Sequence, residues 1–311
     1  MYANSLYFLS TLVLYAGITF SFIKDYITAP DPKKEKTKQA LENGKNLAFN
    51  ICGSCHYDEK TKHFTGLIMN DLPHFMGKIY SANLTHSMKY GIMGGYTDFQ
   101  LANLLKTGMS NDGKYIPFMI RPNLAEEDIA DLYLYFNSND KAVTTDDTVP
   151  GKTHLNALGK AANKIAVKKM EYKKDIKRPD KNDAVANGKY LIDNIGCYHC
   201  HSKTILGLDY SEPEKSKGYL EGGMKFKSAK GKKVFAANLT PDKETGIGNY
   251  TKEKFNRALT KGINMKGDTL QKPMPHFKHL TQKQTEEIFA YLQSLKPVNH
   301  KIQKASAKAK K

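Results

Sequence analysis

Cysteine is scarce. The 311 residues contain four, Cys52, Cys55, Cys197 and Cys200, spaced as two pairs with none left over. Both pairs belong to C-x-x-C-H motifs, which claim all four and leave none for a disulfide framework. Acidic residues are also short: 31 Asp and Glu face 48 Lys and Arg, for a formal charge of +17. Such an excess disfavours cationic partners and steers the chain towards anionic ones, namely acidic proteins, lipid headgroups or nucleic acid. Residues 1–23 lack Lys and Arg altogether, and no A-x-A follows them. A cleavable signal peptide needs a positive leading region and a small-residue cleavage site, so both absences disfavour one.

What is present starts at the cysteines. Each pair is followed directly by histidine, giving Cys52-Gly-Ser-Cys55-His56 and Cys197-Tyr-His-Cys200-His201. C-x-x-C-H is the haem c attachment signature, in which two thiols add to the vinyl groups of one haem and the histidine ligates the iron. The competing reading is one zinc site built from both pairs, but zinc ribbons bring such pairs within about 15–20 residues of each other. Here Cys52 and Cys197 lie 145 positions apart. Two covalently attached haem c groups are the expectation, and they set nucleic acid aside as a partner. Two domains suit the length, since one domain commonly takes about 100–200 residues.

The chain then repeats itself. Residues 37–51 and 182–195 each predict a helix running into a haem motif, with Asn43-Gly44-Lys45 matching Asn187-Gly188-Lys189. Ala82-Asn83-Leu84-Thr85 recurs as Ala237-Asn238-Leu239-Thr240, and Gly91-Ile92 as Gly246-Ile247. Amphipathic patterns over 96–108 and 250–262 each end on glycine, a helix stop signal. Helices over 125–138 and 281–294 put Ile129, Leu132, Tyr133 and Phe136, then Ile288, Phe289, Tyr291 and Leu292, on one face. Matches in the same order indicate a duplicated domain.

This order of helix, C-x-x-C-H, loops, helix, methionine loop and final helix resembles class I cytochrome c over nearly all of residues 37–142 and 184–297. The resemblance implies an all-α fold of two tandem class I cytochrome c domains. It also implies that first and last helices cross at a glycine–aromatic contact, Gly44 with Tyr135 and Gly188 with Tyr291. In the second domain, Asn238-Leu-Thr-Pro-Asp-Lys-Glu-Thr-Gly-Ile-Gly248, with Tyr250, Thr251 and Phe255, is similar to the cytochrome subunits of membrane-bound alcohol and gluconate dehydrogenases. Those subunits commonly carry three haems, whereas this chain has two motifs.

The family places an axial methionine just before the last helix. Met274, between Pro273 and Pro275, holds that place; proline on both sides restricts the loop. Met119 lies five residues before Leu124 as Met274 lies six before Leu280, and corresponds to it. The iron ligands expected are thus His56 with Met119 and His201 with Met274. Competitors are His276 and His279 in the second domain, and Met93, Met109, His63, His74 and His86 in the first. A neutral thioether favours ferrous iron and raises the potential relative to two imidazoles. Six-coordinate irons leave no position for substrate, so the expected role is electron transfer, not catalysis. A dihaem cytochrome c peroxidase, with one haem open to substrate, is the alternative. A mainly structural subunit of a larger respiratory complex is a third reading.

The resemblance to c-type cytochromes implies a non-cytoplasmic compartment. Residues 5–23 carry no charge, and nineteen helical residues span about 28 Å at about 1.5 Å each, enough for one membrane crossing. The expectation is an N-terminal transmembrane anchor and basic linker over 1–36, in a bacterial cytoplasmic membrane with the haem domains on the periplasmic side. Lys24, Lys33, Lys34, Lys36 and Lys38 oppose that orientation unless later domains and a partner override them, or the natural chain begins upstream. The remaining boundaries expected are domain 1 over 37–142, a connector over 143–183, domain 2 over 184–300 and a Lys-rich tail over 301–311. Residues 151–183 hold ten basic residues against four acids. They read either as a solvated tether, with Leu155, Leu158, Ala161, Ile165 and Ala166 on one helical face, or as a docking surface for a partner or anionic lipid. The partners expected are a membrane-embedded respiratory or dehydrogenase complex and an oxidase or soluble electron carrier. Inserts over 57–80 and 202–235 are compatible with shielding a haem edge or with forming contacts. Asn83 and Asn238 read as turn formers through an Asx bond, or as amide donors to a haem propionate.

Overall fold

The computed structural model describes residues 37–70, 72, 76–149, 151–165, 170–228 and 231–302. The expected anchor and linker over 1–36, His74 and most of the Lys-rich tail lie outside the described residues. Among those described, no helix is long and apolar enough to cross a membrane.

The chain is mainly helical. In its first half, α1 (Lys38–Leu47) starts at Thr37, whose side chain accepts the Ala40 N–H at 3.0 Å. It widens into a π turn, Ala48–Cys52, before α2 (Gly53–His56). The second half enters its motif differently: α6 (Ala184–Ile195) stops at Gly196, and α7 (Cys197–His201) begins there. Gly196 takes φ +85°, a left-handed conformation open to glycine, whereas the first half has Ile51 immediately before Cys52 and keeps winding. Helices α3 (Asp98–Thr107) and α8 (Lys252–Lys261) begin at Thr97 and Thr251 and end at Gly108 and Gly262, both left-handed. The last helices are α4 (Glu126–Phe136) and α9 (Gln282–Ser294). The chain adds α5 (Ala157–Ile165) and two small antiparallel pairs, β1 (Gly77–Lys78) with β2 (His154–Leu155) and β3 (Lys225–Lys227) with β4 (Lys233–Phe235).

In each half the first and last helices meet backbone to backbone. A Cβ on Gly44 would lie 2.0 Å from the Asp131 carbonyl oxygen and 2.9 Å from Tyr135 Cβ. On Gly188 it would lie 2.0 Å from the Glu287 carbonyl oxygen and 2.8 Å from Tyr291 Cβ. The crossing falls at the expected glycine–tyrosine pairs. Two separate apolar clusters form around these crossings, one including Leu47, Phe64, Leu105 and Tyr135, the other Ile192, Tyr198, Leu259 and Leu292.

The halves also grip each other through reciprocal contacts. Asn46 on α1 donates to the His279 carbonyl at 2.6 Å and exchanges amide bonds with Gln284 in the first turn of α9. Two residues beyond Gly188 as Asn46 is beyond Gly44, Tyr190 on α6 accepts the Ala125 N–H at 2.9 Å and donates to Asp128 in the first turn of α4. Phe49 stacks on His279 at 3.8 Å, and Lys278 pairs with Glu59 at 2.9 Å.

The connector is pinned to this body. β2 holds its start, and Arg178 near its end donates from Nε to Asp128 at 2.7 Å and from Nη2 to Asp131 at 2.6 Å. Those carboxylates are buried on α4 and also receive Asn43. Lys173 reaches Asn123 in the first half and the Ser211 carbonyl in the second. Of the expected apolar face, Leu155 is half-buried in β2, Leu158 is 59% exposed and Ala161 is exposed, because α5 meets the body at its Gly159 side, against Met76; Ala166 and the Ile165 side chain lie outside what is described. Removing one partner of a buried pair costs about 3–5 kcal/mol. Arg178→Ala, partly exposed, is expected to lose roughly 2–4 kcal/mol of unfolding free energy in a denaturant titration. A loss under about 0.5 kcal/mol would show the clamp to be incidental.

Candidate haem-attachment sites

Both motif histidines are buried and oriented in the same way. His56 is 5% and His201 8% exposed. The His56 Nδ1–H donates to the Ala82 carbonyl at 2.8 Å, and the His201 Nδ1–H to the Ala237 carbonyl at 2.7 Å. A proton fixed on Nδ1 leaves the Nε2 lone pair as the ligating atom, the second-sphere arrangement typical of metal-binding histidines. Burial lowers the pKa of both rings, against the raising effect of the carbonyl bond, so both are neutral and able to ligate near pH 7. Ala82 and Ala237 open the repeated A-N-L-T segments. The repetition was visible in the sequence; a role played by a peptide carbonyl was not.

The following asparagines fold these segments. Asn83 Oδ1 accepts the Thr85 N–H at 2.8 Å, and Asn238 Oδ1 the Thr240 N–H at 2.9 Å. Their amide groups donate to the Asp146 and Thr148 carbonyls, and to Thr245 Oγ1 and the Val298 carbonyl. Of the two sequence readings, this geometry is the turn.

The cysteines suit covalent attachment better than zinc. They are not joined as disulfides, and among the described residues no group of three or more His, Cys, Asp or Glu side chains converges to hold a metal ion. The two C-x-x-C pairs are thus not gathered into one tetrahedral site. Burial pushes the Cys52 and Cys197 thiols up to about 12, with the Arg121 charge working against that rise at Cys52.

Met119 ends a short 3-10 turn, Pro117–Met119, and is half-buried against the first apolar cluster. Met274 is half-buried against the second. The loops hang from equivalent anchors. Before them, Ile116 N–H bonds Gly108 O and Leu270 N–H bonds Gly262 O, both at 2.7 Å. After them, Arg121 N–H bonds Leu105 O at 2.5 Å and Phe277 N–H bonds Leu259 O at 3.0 Å. Several competing ligands have other engagements. Met93 is 2% exposed in the first core, and His86 Nε2 pairs with the Phe136 carbonyl at 2.7 Å. His63 pairs with the Thr61 carbonyl at 2.7 Å and Asp146 at 3.2 Å, while His279 stacks on Phe49. His276 lies over Gly262.

Sequence reasoning did not single out Arg121. Its Nε donates to the Asn194 carbonyl at 2.7 Å, and Nη1 to the Ile120 and Phe118 carbonyls at 2.7 and 3.3 Å. Its charge, second to burial, holds His199 well below the ordinary histidine range.

No family model matches the chain. Among curated proteins it is similar to the fructose dehydrogenase cytochrome subunit of Gluconobacter japonicus, 34% identical over 119 residues, 37% of this chain and 22% of that protein. The cytochrome c subunit of the quinone alcohol dehydrogenase of Gluconobacter oxydans is 34% identical over 117 residues, again 37% and 22%. The gluconate 2-dehydrogenase cytochrome c subunit of Pantoea cypripedii is 33% identical over 113 residues, 35% and 23%. The matches thus cover less than a quarter of these relatives. They establish a relationship to cytochrome c subunits of dehydrogenases, which implies covalently bound haem c and agrees with electron transfer in place of catalysis.

Proposed function

We propose that this protein is a dihaem c-type cytochrome made of two tandem class I units, 37–142 and 184–300, which passes single electrons between respiratory partners. The observation that carries the reading is the pair of imidazoles, His56 and His201, each turned by a backbone carbonyl so that Nε2 is the ligating atom, each directly after two cysteines. Haem iron supplies the one-electron couple. The chain's residues hold it: Cys52, Cys55 and His56 with Met119, and Cys197, Cys200 and His201 with Met274. Filling both axial positions keeps oxygen and peroxide from the iron, and the equivalent anchoring of the two methionine loops favours a carrier over the peroxidase alternative.

The relatives' names support a dehydrogenase complex as the donor, from which electrons pass to a terminal oxidase or soluble carrier. In this reading the haem units face the periplasm, held to the cytoplasmic membrane by residues 5–23 or by the partner complex. The charge of +17 suits an acidic partner surface or anionic lipid.

The test is haem stoichiometry. Alkaline pyridine difference spectra on the purified full chain are expected to give two covalent haems. Cys52→Ser with Cys55→Ser, and separately Cys197→Ser with Cys200→Ser, should each leave one. A wild-type value of one or none, or zinc found in place of iron, would overturn the reading.

A further inference from the structure

We propose that Arg121 is a positioning residue shared by the two haem sites, placed so that one guanidinium ties the Met119 loop to the helix end leading into Cys197 and sets the potential of both irons. This rests on the two-haem reading above. The carbonyls of Phe118 and Ile120, which receive Nη1, flank Met119 directly. The carbonyl of Asn194, which receives Nε, is buried three residues before Cys197. The Arg121 N–H is itself bonded to Leu105 O, so the backbone that carries the fork is fixed. A planar guanidinium donates in several fixed directions at once, which a lysine ammonium on a flexible stem does not reproduce.

The second half has no counterpart. Phe277 occupies the equivalent place, its N–H bonded to Leu259 O as that of Arg121 is to Leu105 O. The charge therefore belongs to the junction and is not a general feature of the repeat. Its Nη1 lies against the carbonyls on either side of Met119 and its Nε against the Asn194 carbonyl near the end of α6, so the charge stands between the first site's methionine loop and the second motif. A fixed positive charge near a haem disfavours ferric iron, which carries one more positive charge than ferrous. Arg121 thus raises both potentials together.

The experiment is a spectroelectrochemical titration of the full dihaem protein, after haem content has been measured. In Arg121→Gln both midpoint potentials are expected to fall while two haems remain attached. In Arg121→Lys, which keeps the charge and loses the fork, most of that fall should be recovered. A shift at only one haem, or at neither, overturns the proposal, as does a fall in Arg121→Lys as large as in Arg121→Gln. Should Arg121→Gln fail to load haem, Soret circular dichroism of the wild type decides: a split, exciton-coupled band is expected of neighbouring haems, and an unsplit band overturns the proposal. Fewer than two haems in the wild type would instead mark failure of the functional reading.

Discussion

Gly188→Ala is expected to lower the unfolding free energy by roughly 3–5 kcal/mol, more than the about 1–3 kcal/mol of ordinary overpacking. The added Cβ would lie 2.0 Å from the Glu287 carbonyl oxygen, 2.6 Å from its carbon and 2.8 Å from Tyr291 Cβ. None of these atoms escapes by side-chain rotation, so α6 and α9 must separate, and the contacts of Ile192, Ile288 and Leu292 loosen with them. The helix-propensity gain of alanine over glycine, about 1 kcal/mol, offsets only part of this. Gly44→Ala is expected to behave similarly, since its Cβ would meet the Asp131 carbonyl oxygen at 2.0 Å. Denaturant titration of the haem-loaded chain, followed by far-ultraviolet circular dichroism, measures both. A cost below about 1 kcal/mol at either site would mean that the helix crossing is looser than the backbone contact implies.

These glycines were legible in the sequence because they lie at matching places in a repeat, and the resemblance gave each an aromatic partner. The helices were legible for a local reason: Thr37, Thr97, Thr251 and Thr281 cap their starts, and Gly108 and Gly262 close their ends within a turn or so. What stayed hidden is carried by contacts between distant positions or by groups without a side-chain signal. The carbonyls of Ala82 and Ala237 look like any other peptide oxygen until the fold brings His56 and His201 against them. Arg178 reads as one basic residue among ten in the connector, and only the fold places Asp128 and Asp131, 50 and 47 positions earlier, beneath it. The junction between halves was equally opaque, because the equivalent positions are filled by different residues, Asn46 and Tyr190, which reach Gln284 and Asp128 by different chemistry. Leu158 misled in the opposite direction: a helical apolar pattern requires a surface to face, and α5 turns Gly159 to the body, leaving Leu158 in solvent.

Replacing the two loop methionines is expected to separate the haem sites spectroscopically without removing either haem. In Met274→Ala and in Met119→Ala, the cysteines and Nε2 of the paired histidine remain, so covalent attachment and haem content should stay unchanged. Each variant should lose the portion of the weak long-wavelength ferric band that reports sulfur-to-iron bonding, and its opened iron should bind carbon monoxide when reduced. Met274→His and Met119→His should instead keep six ligands but lower the potential of one haem each, since a second imidazole gives up the preference of the neutral thioether for ferrous iron. The two loops hang from equivalent backbone anchors, although the first spans residues 117–120 and the second 271–276. The shorter loop is therefore the sterner test. If Met119→Ala leaves the band intact and binds no carbon monoxide, the ligand to the first iron lies elsewhere, and the half-buried Met109 becomes the residue to replace next. If the wild type already binds carbon monoxide at one haem, the methionine of that haem is not holding the sixth position, Met119 is the first to be tested, and peroxide chemistry at that iron becomes the reading to pursue.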